Sequence, residues 1–265
     1  MHNHALAKKR GGGLGIGVAI RQWRTTDIGR LLAPLGVDWV NIDMEHGTVD
    51  LDLAAQMAIA CQDAGVTPLV RVPGYEHHHA SRVLDGGAMG IIFPHVDTAE
   101  MARRLVSYCK YPPVGKRSLV GRMVHFNYRN VPQAEAAVIA NGQILVAMMI
   151  ESPEGVANAD AIAAVEGVDV LTVGPGDFAA ELGRPGDFDN PAFIGGVETV
   201  IAACKRHGKI AGCGLGPKRD IVARFIAAGT RYVQGGSDLN FLIDGAKALV
   251  GDLRTHFPDE AVAAR

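Results

Sequence analysis

The sequence predicts an α/β fold, a TIM-type (β/α)8 barrel that residues 1–265 form as one domain. Short β-branched segments alternate with helical patterns of about ten to fifteen residues, which is typical of βαβ units around a parallel sheet. This alternation occurs eight times, whereas a doubly wound open sheet usually has about five to seven strands. With 48% apolar and 20% charged residues, the chain is long enough to bury one large core.

The predicted strands are the apolar segments of this alternation, and each is followed by a predicted helix. Strands are expected at residues 15–20, 39–43, 68–72, 90–94, 144–150, 168–173, 210–213 and 232–235. Helices are expected at residues 26–35, 51–64, 78–85, 98–109, 153–165, 191–207, 218–228 and 239–250. The interval before the fifth strand is long: residues 111–118 have loop chemistry and residues 132–140 predict a short helix. We expect this loop to cover the mouth of the barrel.

The charge and the cysteine content of the chain limit the cellular compartment and the classes of binding partner that we expect. The formal net charge is -2 without a basic stripe, which argues against nucleic acid or an acidic membrane as the main partner. Lys8, Lys9 and Arg10 precede three glycines where a signal peptide would need an apolar segment, so we expect a cytoplasmic protein. The four cysteines lack CxxC spacing and are expected to be reduced and mostly buried.

Polar residues follow most of the predicted strands at the end where barrel enzymes build their active sites. The seventh and eighth strands end in glycine-rich segments at residues 212–216 and 235–238, where backbone amides can approach a ligand closely. The polar residues at this rim are Asp43, Glu45, His46, Arg71, Glu151 and Asp177. These strand ends therefore place candidate functional groups on one rim.

Two acidic residues at this rim suggest a cation. Glu151 follows the apolar segment 144–150, and Asp177 follows residues 171–176, so neighbouring parallel strands would bring their carboxylates side by side. Two unscreened carboxylates about 4 Å apart repel by about 4 kcal/mol at an effective dielectric near 20. The pair therefore predicts a divalent metal. The three histidines at residues 77–79 are not expected to bind it, because adjacent helical side chains point about 100° apart.

Each of these residues also has a structural interpretation. Asp43, Glu45 and Asp177 are residue types that cap the helix after a strand. Arg71 fits a salt bridge in the barrel rim, and His46 fits a hydrogen-bonded structural imidazole. The glycine-rich strand ends equally suit tight turns.

Several motifs, in order along nearly the whole chain, carry a family resemblance. They are DWVNIDMEH at residues 38–46, VRVP at 70–73, LDGGAMG at 84–90, YPPVGKR at 111–117, IE at 150–151, VEGVD at 165–169 and GPGD at 174–177. With them the chain resembles the metal-dependent pyruvate aldolases of the 4-hydroxy-2-oxoheptanedioate aldolase type, related to 2-dehydro-3-deoxyglucarate aldolase and macrophomate synthase. The resemblance implies a barrel of the phosphoenolpyruvate/pyruvate-binding type.

The resemblance also implies roles for the rim residues. Glu151 and Asp177 would bind Mg²⁺, Mn²⁺ or Co²⁺, and the ion would take the carboxylate and keto oxygen of a 2-oxo acid. Arg71 would stabilise the charge of an enolate, and His46 would act as acid and base through a metal-bound water, oriented by Asp85.

Substrate contacts follow from the same resemblance. The amide of Gly176 and its neighbours, with Pro175 and Leu215, would hold the substrate. Arg21 follows the first strand and fits either a contact with a distal substrate carboxylate or a surface salt bridge. Arg122 and His125 in the long loop are further candidates for that contact.

The implied reaction is reversible aldol cleavage of a 4-hydroxy-2-oxo acid to pyruvate or hydroxypyruvate and an aldehyde, through a metal-bound enolate. No Schiff-base lysine is expected, since no predicted strand has a lysine at its middle. Three alternatives stay open: an oxaloacetate decarboxylase that uses the same site, a lyase of acyl-CoA hydroxy acids, and a non-catalytic 2-oxo acid binding protein. The acyl-CoA lyase would need a basic, adenine-accommodating surface that the sequence does not suggest, and retention of His46 and Arg71 disfavours a mere binder.

The sequence departs from the better-known relatives at two positions. Met149 stands where they have a glutamine, and the first strand lacks the tryptophan of some relatives.

The resemblance also implies an assembly. It is a homohexamer, a trimer of dimers in which a C-terminal helix packs on a neighbouring subunit. The apolar stripe of the last helix fits that exchange or ordinary packing on the barrel; it comprises Phe241, Leu242, Ala246, Leu249 and Val250.

Overall fold

The computed structural model is a closed barrel of eight parallel strands in sequential order, in which the last strand pairs with the first. The structure describes residues 1–214 and 219–257, except for the side chains of residues 9 and 10. The strands are β1 Gly15–Ile20, β2 Trp39–Asp43, β3 Thr67–Arg71, β4 Gly90–Phe93, β5 Leu145–Ile150, β6 Val170–Val173, β7 Ile210–Cys213 and β8 Tyr232–Ser237. The predicted TIM barrel is confirmed.

Helices surround the barrel. They are α1 His4–Arg10, α2 Ile28–Leu32, α3 Leu51–Asp63, α4 His77–Asp85, α5 Ala99–Cys109, α6 Gln133–Gln143, α7 Pro153–Ala157, α8 Ala159–Ala163, α9 Pro175–Glu181, α10 Pro191–Arg206, α11 Arg219–Ala228 and α12 Asp238–His256. In the described parts of the chain, no helix combines the length and the apolar character that crossing a membrane requires.

Three helical features differ from the expectation. The predicted helix at residues 153–165 is two short helices, α7 and α8, that meet at Asn158. Helices α1 and α9 were not predicted. Helix α9 follows β6 directly, and Pro175 occupies its first turn, where a missing N–H costs no helical hydrogen bond. The glycine and proline that predict a loop therefore begin a helix instead.

The end of the barrel away from the polar rim is filled and closed. Trp39 and Tyr232 begin their strands, and their rings stack with centroids 3.9 Å apart. Gly17 makes room for them, since a Cβ at that position would lie 2.1 Å from the ring of Trp39. Helix α1 covers this end: Leu6 joins the same apolar cluster, and the Asn3 amide donates to the carbonyl of Met89 at 3.1 Å. A ligand therefore has access from the polar rim.

A second, larger apolar cluster lies between the strands and the outer helices. Because both faces of each strand are covered, the middle strands are nearly continuous apolar segments. All four cysteines are buried, as expected; they are Cys61, Cys109, Cys204 and Cys213. Burial raises the pKa of the Cys61 thiol to about 12, so its reactive thiolate is suppressed.

Candidate active site

A cavity of about 320 Å³ opens at the carboxyl ends of the strands. It brings together most of the site residues that the sequence predicts, from β1, β2, β3, β5 and the β6–α9 junction. These residues are Arg21, His46, Arg71, Glu151, Pro175, Gly176 and Asp177. The substrate contact predicted for Leu215 lies outside the described residues.

Arg71 is held by two carboxylates of the neighbouring strand end. Arg71 and Asp43 end β3 and β2 in register, and the Arg71 Nε donates to Asp43 Oδ1 at 3.0 Å. A second guanidinium nitrogen contacts the other Asp43 oxygen, and Nη1 lies 2.9 Å from Glu45 Oε2. Arg21 adds a contact of 3.0 Å from its Nε to Asp43 Oδ2. The guanidinium of Arg71 is thus fixed at the cavity wall by side chains of the protein itself.

Asp43 is the centre of this arrangement rather than a helix cap. Burial alone would raise its pKa, but the hydrogen bond and charge of Arg71, with the His46 backbone N–H and Arg21, hold that pKa below its ordinary value. The backbone N–H groups of Glu45 and His46 both donate to Asp43 Oδ1 at 3.1 Å. Asp43 therefore fixes both the turn that presents His46 and the orientation of Arg71.

Glu151 is a buried carboxylate at the end of β5, with 2% of its surface exposed. Its Oε2 accepts a hydrogen bond of 2.9 Å from the backbone N–H of His95. Its Oε1 lies beside Gly174, where a Cβ would be 2.0 Å away. Burial raises the pKa of Glu151, the contacts of His95 oppose that effect, and the charges of Asp177 and Glu45 add to it. The contacts of His95 thus do not fully offset the effects of burial and of the two neighbouring carboxylates on the charged form of Glu151.

Asp177 lies in the first turn of α9 and lines the same cavity as Glu151. Its charge raises the pKa of Glu151, as expected for neighbouring carboxylates. The backbone beside it is open, since no atom beyond its chain neighbours and the backbone of α9 lies within 4 Å of the place that a Gly176 Cβ would take. The β6–α9 junction therefore presents one carboxylate and an uncovered stretch of backbone to the cavity.

The two carboxylates suit a hard divalent cation. Oxygen ligands are those that Mg²⁺, Mn²⁺ and Co²⁺ accept, and the buried Glu151 beside Asp177 would gain from a positive charge. Among the described residues, no group of three or more His, Cys, Asp or Glu side chains is arranged to hold an ion. An ion bound by two carboxylates would leave coordination positions for a substrate and water.

His46 stands at the mouth of the cavity, with half of its side chain exposed. Its Nε2 lies 3.9 Å from Glu45 Oε2. Asp85, predicted to orient this histidine, ends α4 and accepts a hydrogen bond of 2.6 Å from Arg117. It does not line the cavity in the described chain. The structure therefore does not bring Asp85 to the site within one molecule.

The long loop before β5 does not cover the cavity, contrary to our expectation. None of residues 111–131 lines it. The loop instead packs beside the α4–β4 turn, where Arg117 pairs with Asp85 and the His125 ring contacts the Ala88 carbonyl at 3.0 Å. This explains why neither His125 nor Arg122 reaches the cavity: the buried His125 anchors the loop elsewhere.

Several polar residues at the cavity were missed. Asn41, Thr172 and Gln234 lie inside the barrel, and the Asn41 amide donates to the Gln234 side chain at 3.0 Å. Strand alternation could have found them, since each lies two residues from another inward-facing residue. His95 was also missed, because its position depends on the backbone turn after β4. Met149 lines the cavity and presents its thioether to it, at the position where the resemblance leads us to expect a glutamine.

Sequence comparison agrees with the geometry. A sequence profile described as HpcH/HpaI aldolase/citrate lyase matches residues 25–245. The chain belongs to the HpcH/HpaI aldolase/citrate lyase family. The predicted resemblance is confirmed, and so is the predicted enzyme class, a carbon–carbon lyase.

Individual relatives of the HpcH/HpaI family extend over nearly the same length. The chain is 40% identical over 256 residues to the 4-hydroxy-4-methyl-2-oxoglutarate aldolase of Hapsidospora irregularis, covering 94% of each protein. It is 34% identical to the pyruvate aldolase of Rhizobium etli, covering 85% of this chain and 87% of that one. A solved HpcH/HpaI aldolase from Desulfitobacterium hafniense superposes with a TM-score of 0.90 at 28% identity, covering 94% and 96% of the two chains.

Proposed function

We propose that this protein is a divalent-metal-dependent aldolase that reversibly cleaves 4-hydroxy-2-oxo acids to pyruvate or hydroxypyruvate and an aldehyde. The observation that carries the proposal is the buried Glu151 carboxylate beside Asp177, in a cavity whose wall holds Arg71. The names of the relatives support the same reaction class, since they include a 4-hydroxy-4-methyl-2-oxoglutarate aldolase and a pyruvate aldolase.

Glu151 and Asp177 are the residues that would hold Mg²⁺, Mn²⁺ or Co²⁺. Such an ion, when bound, supplies positive charge to the carboxylate and keto oxygens of a 2-oxo acid. The open backbone at Gly176, with Pro175, is proposed to contact the donor carboxylate. Leu215 is proposed to bind the substrate, as the family resemblance implies. The residues themselves provide oxygen ligands and room, which suits the chemistry of these ions.

Arg71 stabilises negative charge on the keto oxygen in this proposal. Its guanidinium is already fixed by Asp43 and Glu45, so little reorganisation is needed as charge develops. Preorganised groups of this kind are typically worth about 3 to 4 kcal/mol of transition-state stabilisation. Arg21 enters the mouth of the cavity beside it and is proposed to contact the distal part of the substrate.

His46 moves the proton of the C4 hydroxyl group, whose loss starts C3–C4 cleavage. Its exposed ring at the cavity mouth allows it to meet a substrate that enters from solvent. Asp85 keeps its proposed orienting role only if assembly of several chains brings it to a His46, since its partner in one chain is Arg117.

The decisive experiment is a cleavage and synthesis assay with pyruvate and hydroxypyruvate as donors against a panel of aldehydes. We expect EDTA to abolish activity, and Mg²⁺, Mn²⁺ or Co²⁺ to restore it. Glu151→Gln and Asp177→Asn should lose activity in every metal. Activity that survives EDTA, or a covalent adduct trapped by borohydride with pyruvate, would exclude the proposed mechanism.

The same assay separates the alternatives. Oxaloacetate as substrate tests decarboxylation at the same site, which needs the cation and Arg71 but no proton transfer from an aldol hydroxyl. His46→Ala should therefore reduce aldol cleavage more than decarboxylation. If the protein only binds 2-oxo acids, the wild type and His46→Ala should bind pyruvate equally well. Neither of them should then cleave an aldol substrate or decarboxylate oxaloacetate.

We also propose that the active form is a homo-oligomer, a hexamer by resemblance, in which α12 packs on a neighbouring chain. Helix α12 has no buried residue in the single chain. Its exposed apolar side chains form the stripe that the sequence predicts, with Leu242 71% and Leu249 60% exposed. An apolar stripe of this size on a long helix is typical of an interface.

A further inference from the structure

His95 stands between Glu151, which lines the cavity, and Glu45, which contacts Arg71, although no motif marks it in the sequence. It follows β4, and its ring Nδ1 lies 3.5 Å from Glu151 Oε2. On the other side, its Nε2 lies 3.7 Å from Glu45 Oε1. The ring therefore links the carboxylate proposed to hold the cation with the carboxylate that fixes Arg71.

The backbone of His95 has an uncommon conformation that serves the same contact. Its φ is 48°, in the left-handed region that residues with a side chain rarely adopt. Two contacts hold this turn in place: the Tyr75 hydroxyl donates to the His95 carbonyl at 3.2 Å, and the Val96 N–H donates to the Met149 carbonyl at 2.9 Å. In this conformation the His95 N–H donates to Glu151 Oε2 at 2.9 Å.

The residues around Glu151 thus determine the positions of both of its carboxylate oxygens. Oε2 receives the backbone and ring contacts of His95, while Oε1 lies beside Gly174, which has no side chain to displace it. A carboxylate with one fixed orientation loses less freedom when it binds an ion, and groups that orient a ligand in this way tune metal affinity.

We propose that His95 is a positioning residue that holds the Glu151 carboxylate in its cation-binding orientation. The inference rests on the proposed function, in which Glu151 binds the divalent ion. His95 is proposed to act through Glu151 and not as a ligand itself, since its two ring nitrogens face carboxylate oxygens, Nδ1 toward Glu151 at 3.5 Å and Nε2 toward Glu45 at 3.7 Å. Hard divalent ions also prefer the oxygen of Glu151 to an imidazole nitrogen.

The test measures Mn²⁺ binding by electron paramagnetic resonance, without substrate, in the wild type, in three His95 variants and in one control variant. His95→Gly keeps the left-handed turn and its N–H but removes the ring. His95→Ala removes the ring and also disfavours the turn. His95→Asn tolerates the turn and places an amide nitrogen near the position of the ring Nδ1. His78→Ala, which removes an exposed histidine on α4, is the matched control.

We expect the control to bind Mn²⁺ as the wild type does, and His95→Asn to stay within about threefold of it. His95→Ala should weaken binding by about 10- to 100-fold, and His95→Gly should lie between the two. Because the reacting groups are intact, saturating Mn²⁺ should restore most of kcat in all three variants. Circular dichroism checks that each variant is folded.

Equal affinity of His95→Ala and wild type would overturn the inference, while loss of binding in Glu151→Gln would still uphold the cation site. If Glu151→Gln and Asp177→Asn bind Mn²⁺ like the wild type, the proposed function itself fails. Nitrogen couplings typical of a coordinated imidazole, present in wild type and lost in His95→Ala, would also overturn the positioning role.

Discussion

The guanidinium of Arg71 is oriented by charge before any substrate binds. Two carboxylates from the end of β2 hold it, and the pKa of Asp43 stays low because the pair is mutually satisfied. The sequence placed Arg71 and Asp43 at the same rim, because the ends of parallel strands can be inferred from apolar segments. It left open whether each residue is a structural or a functional group, since that depends on side-chain contacts between strands.

Replacement of Arg71 by lysine should remove activity without unfolding the protein. Lysine keeps the charge but cannot contact Asp43 and Glu45 with a planar group of several donors. We expect kcat to fall by about 10²- to 10³-fold, equivalent to about 3 to 4 kcal/mol. Arg224→Lys is the control, because Arg224 forms an exposed pair with Glu198. Comparable activity in the Arg71 variant and the control would contradict the role of Arg71.

The junction between β6 and α9 positions both of the proposed cation ligands. It carries Asp177 in the first turn of α9, and its Gly174 leaves room for the Glu151 carboxylate. The boundaries of β1, β2 and β7 agree with the sequence prediction at every residue, since each strand is an apolar segment bounded by turn residues. Helix α9 was missed because Gly174, Pro175 and Gly176 have the composition of a turn. Asp177 was still placed at the correct rim, because the rim follows from the end of the strand alone.

A methyl group at Gly174 should disturb Glu151 directly. The backbone angles of Gly174, φ -85° and ψ 102°, are open to alanine, but its Cβ would lie 2.0 Å from Glu151 Oε1. Gly174→Ala should therefore lower Mn²⁺ affinity by at least about tenfold, through displacement of the carboxylate. Gly195→Ala on α10 is the control, since no atom lies within 4 Å of its Cβ position. An unchanged affinity would show that Glu151 does not need its present position.

The loop before β5 should make the stability of the fold depend on pH. Burial lowers the pKa of His125 to about 4, so the folded protein holds this ring neutral while the unfolded chain protonates it near pH 6.5. The stabilisation is therefore complete above the unfolded pKa and is lost as pH falls toward 4. Between pH 7 and pH 5 this group should lower the free energy of unfolding by about 2 kcal/mol.

Urea unfolding at several pH values tests this prediction. His125→Gln, which can still donate to the Ala88 carbonyl, should reduce the pH dependence by about 2 kcal/mol over that range. His256→Gln, at an exposed position of α12, is the control variant. Equal slopes for wild type and His125→Gln would mean that this ring is also accessible to protons in the folded protein.

In a single chain, the apolar side chains of α12 are not buried by any other part of the described protein. The sequence predicted its apolar stripe but left open whether the barrel or another chain covers it. The structure shows the stripe exposed, with Phe241 51%, Leu242 71% and Leu249 60% exposed, so packing on its own barrel does not cover it. Asp85 pairs with Arg117 and not with His46 within one chain. Its proposed role in orienting His46 therefore also depends on the assembly of several chains.

Aspartate at Leu242 should dissociate the proposed oligomer. We expect light scattering after size-exclusion chromatography to give a multiple of the chain mass for the wild type and a smaller multiple for Leu242→Asp. Lys247→Asp, which places the same group on the face of α12 away from the apolar stripe, should keep the wild-type mass. A monomeric wild type at micromolar concentration would refute the interface.

Charge around the cavity would also couple the binding of the two ligands in the proposed function. Arg21, Arg71, Glu151 and Asp177 line the cavity, and Asp43 and Glu45 contact the two guanidinium groups, so these side chains together carry a formal charge of -2. A 2-oxo acid is itself an anion, so a divalent ion held by Glu151 and Asp177 would offset this excess and favour its binding. The ion and the donor would then each raise the affinity of the site for the other by the same factor.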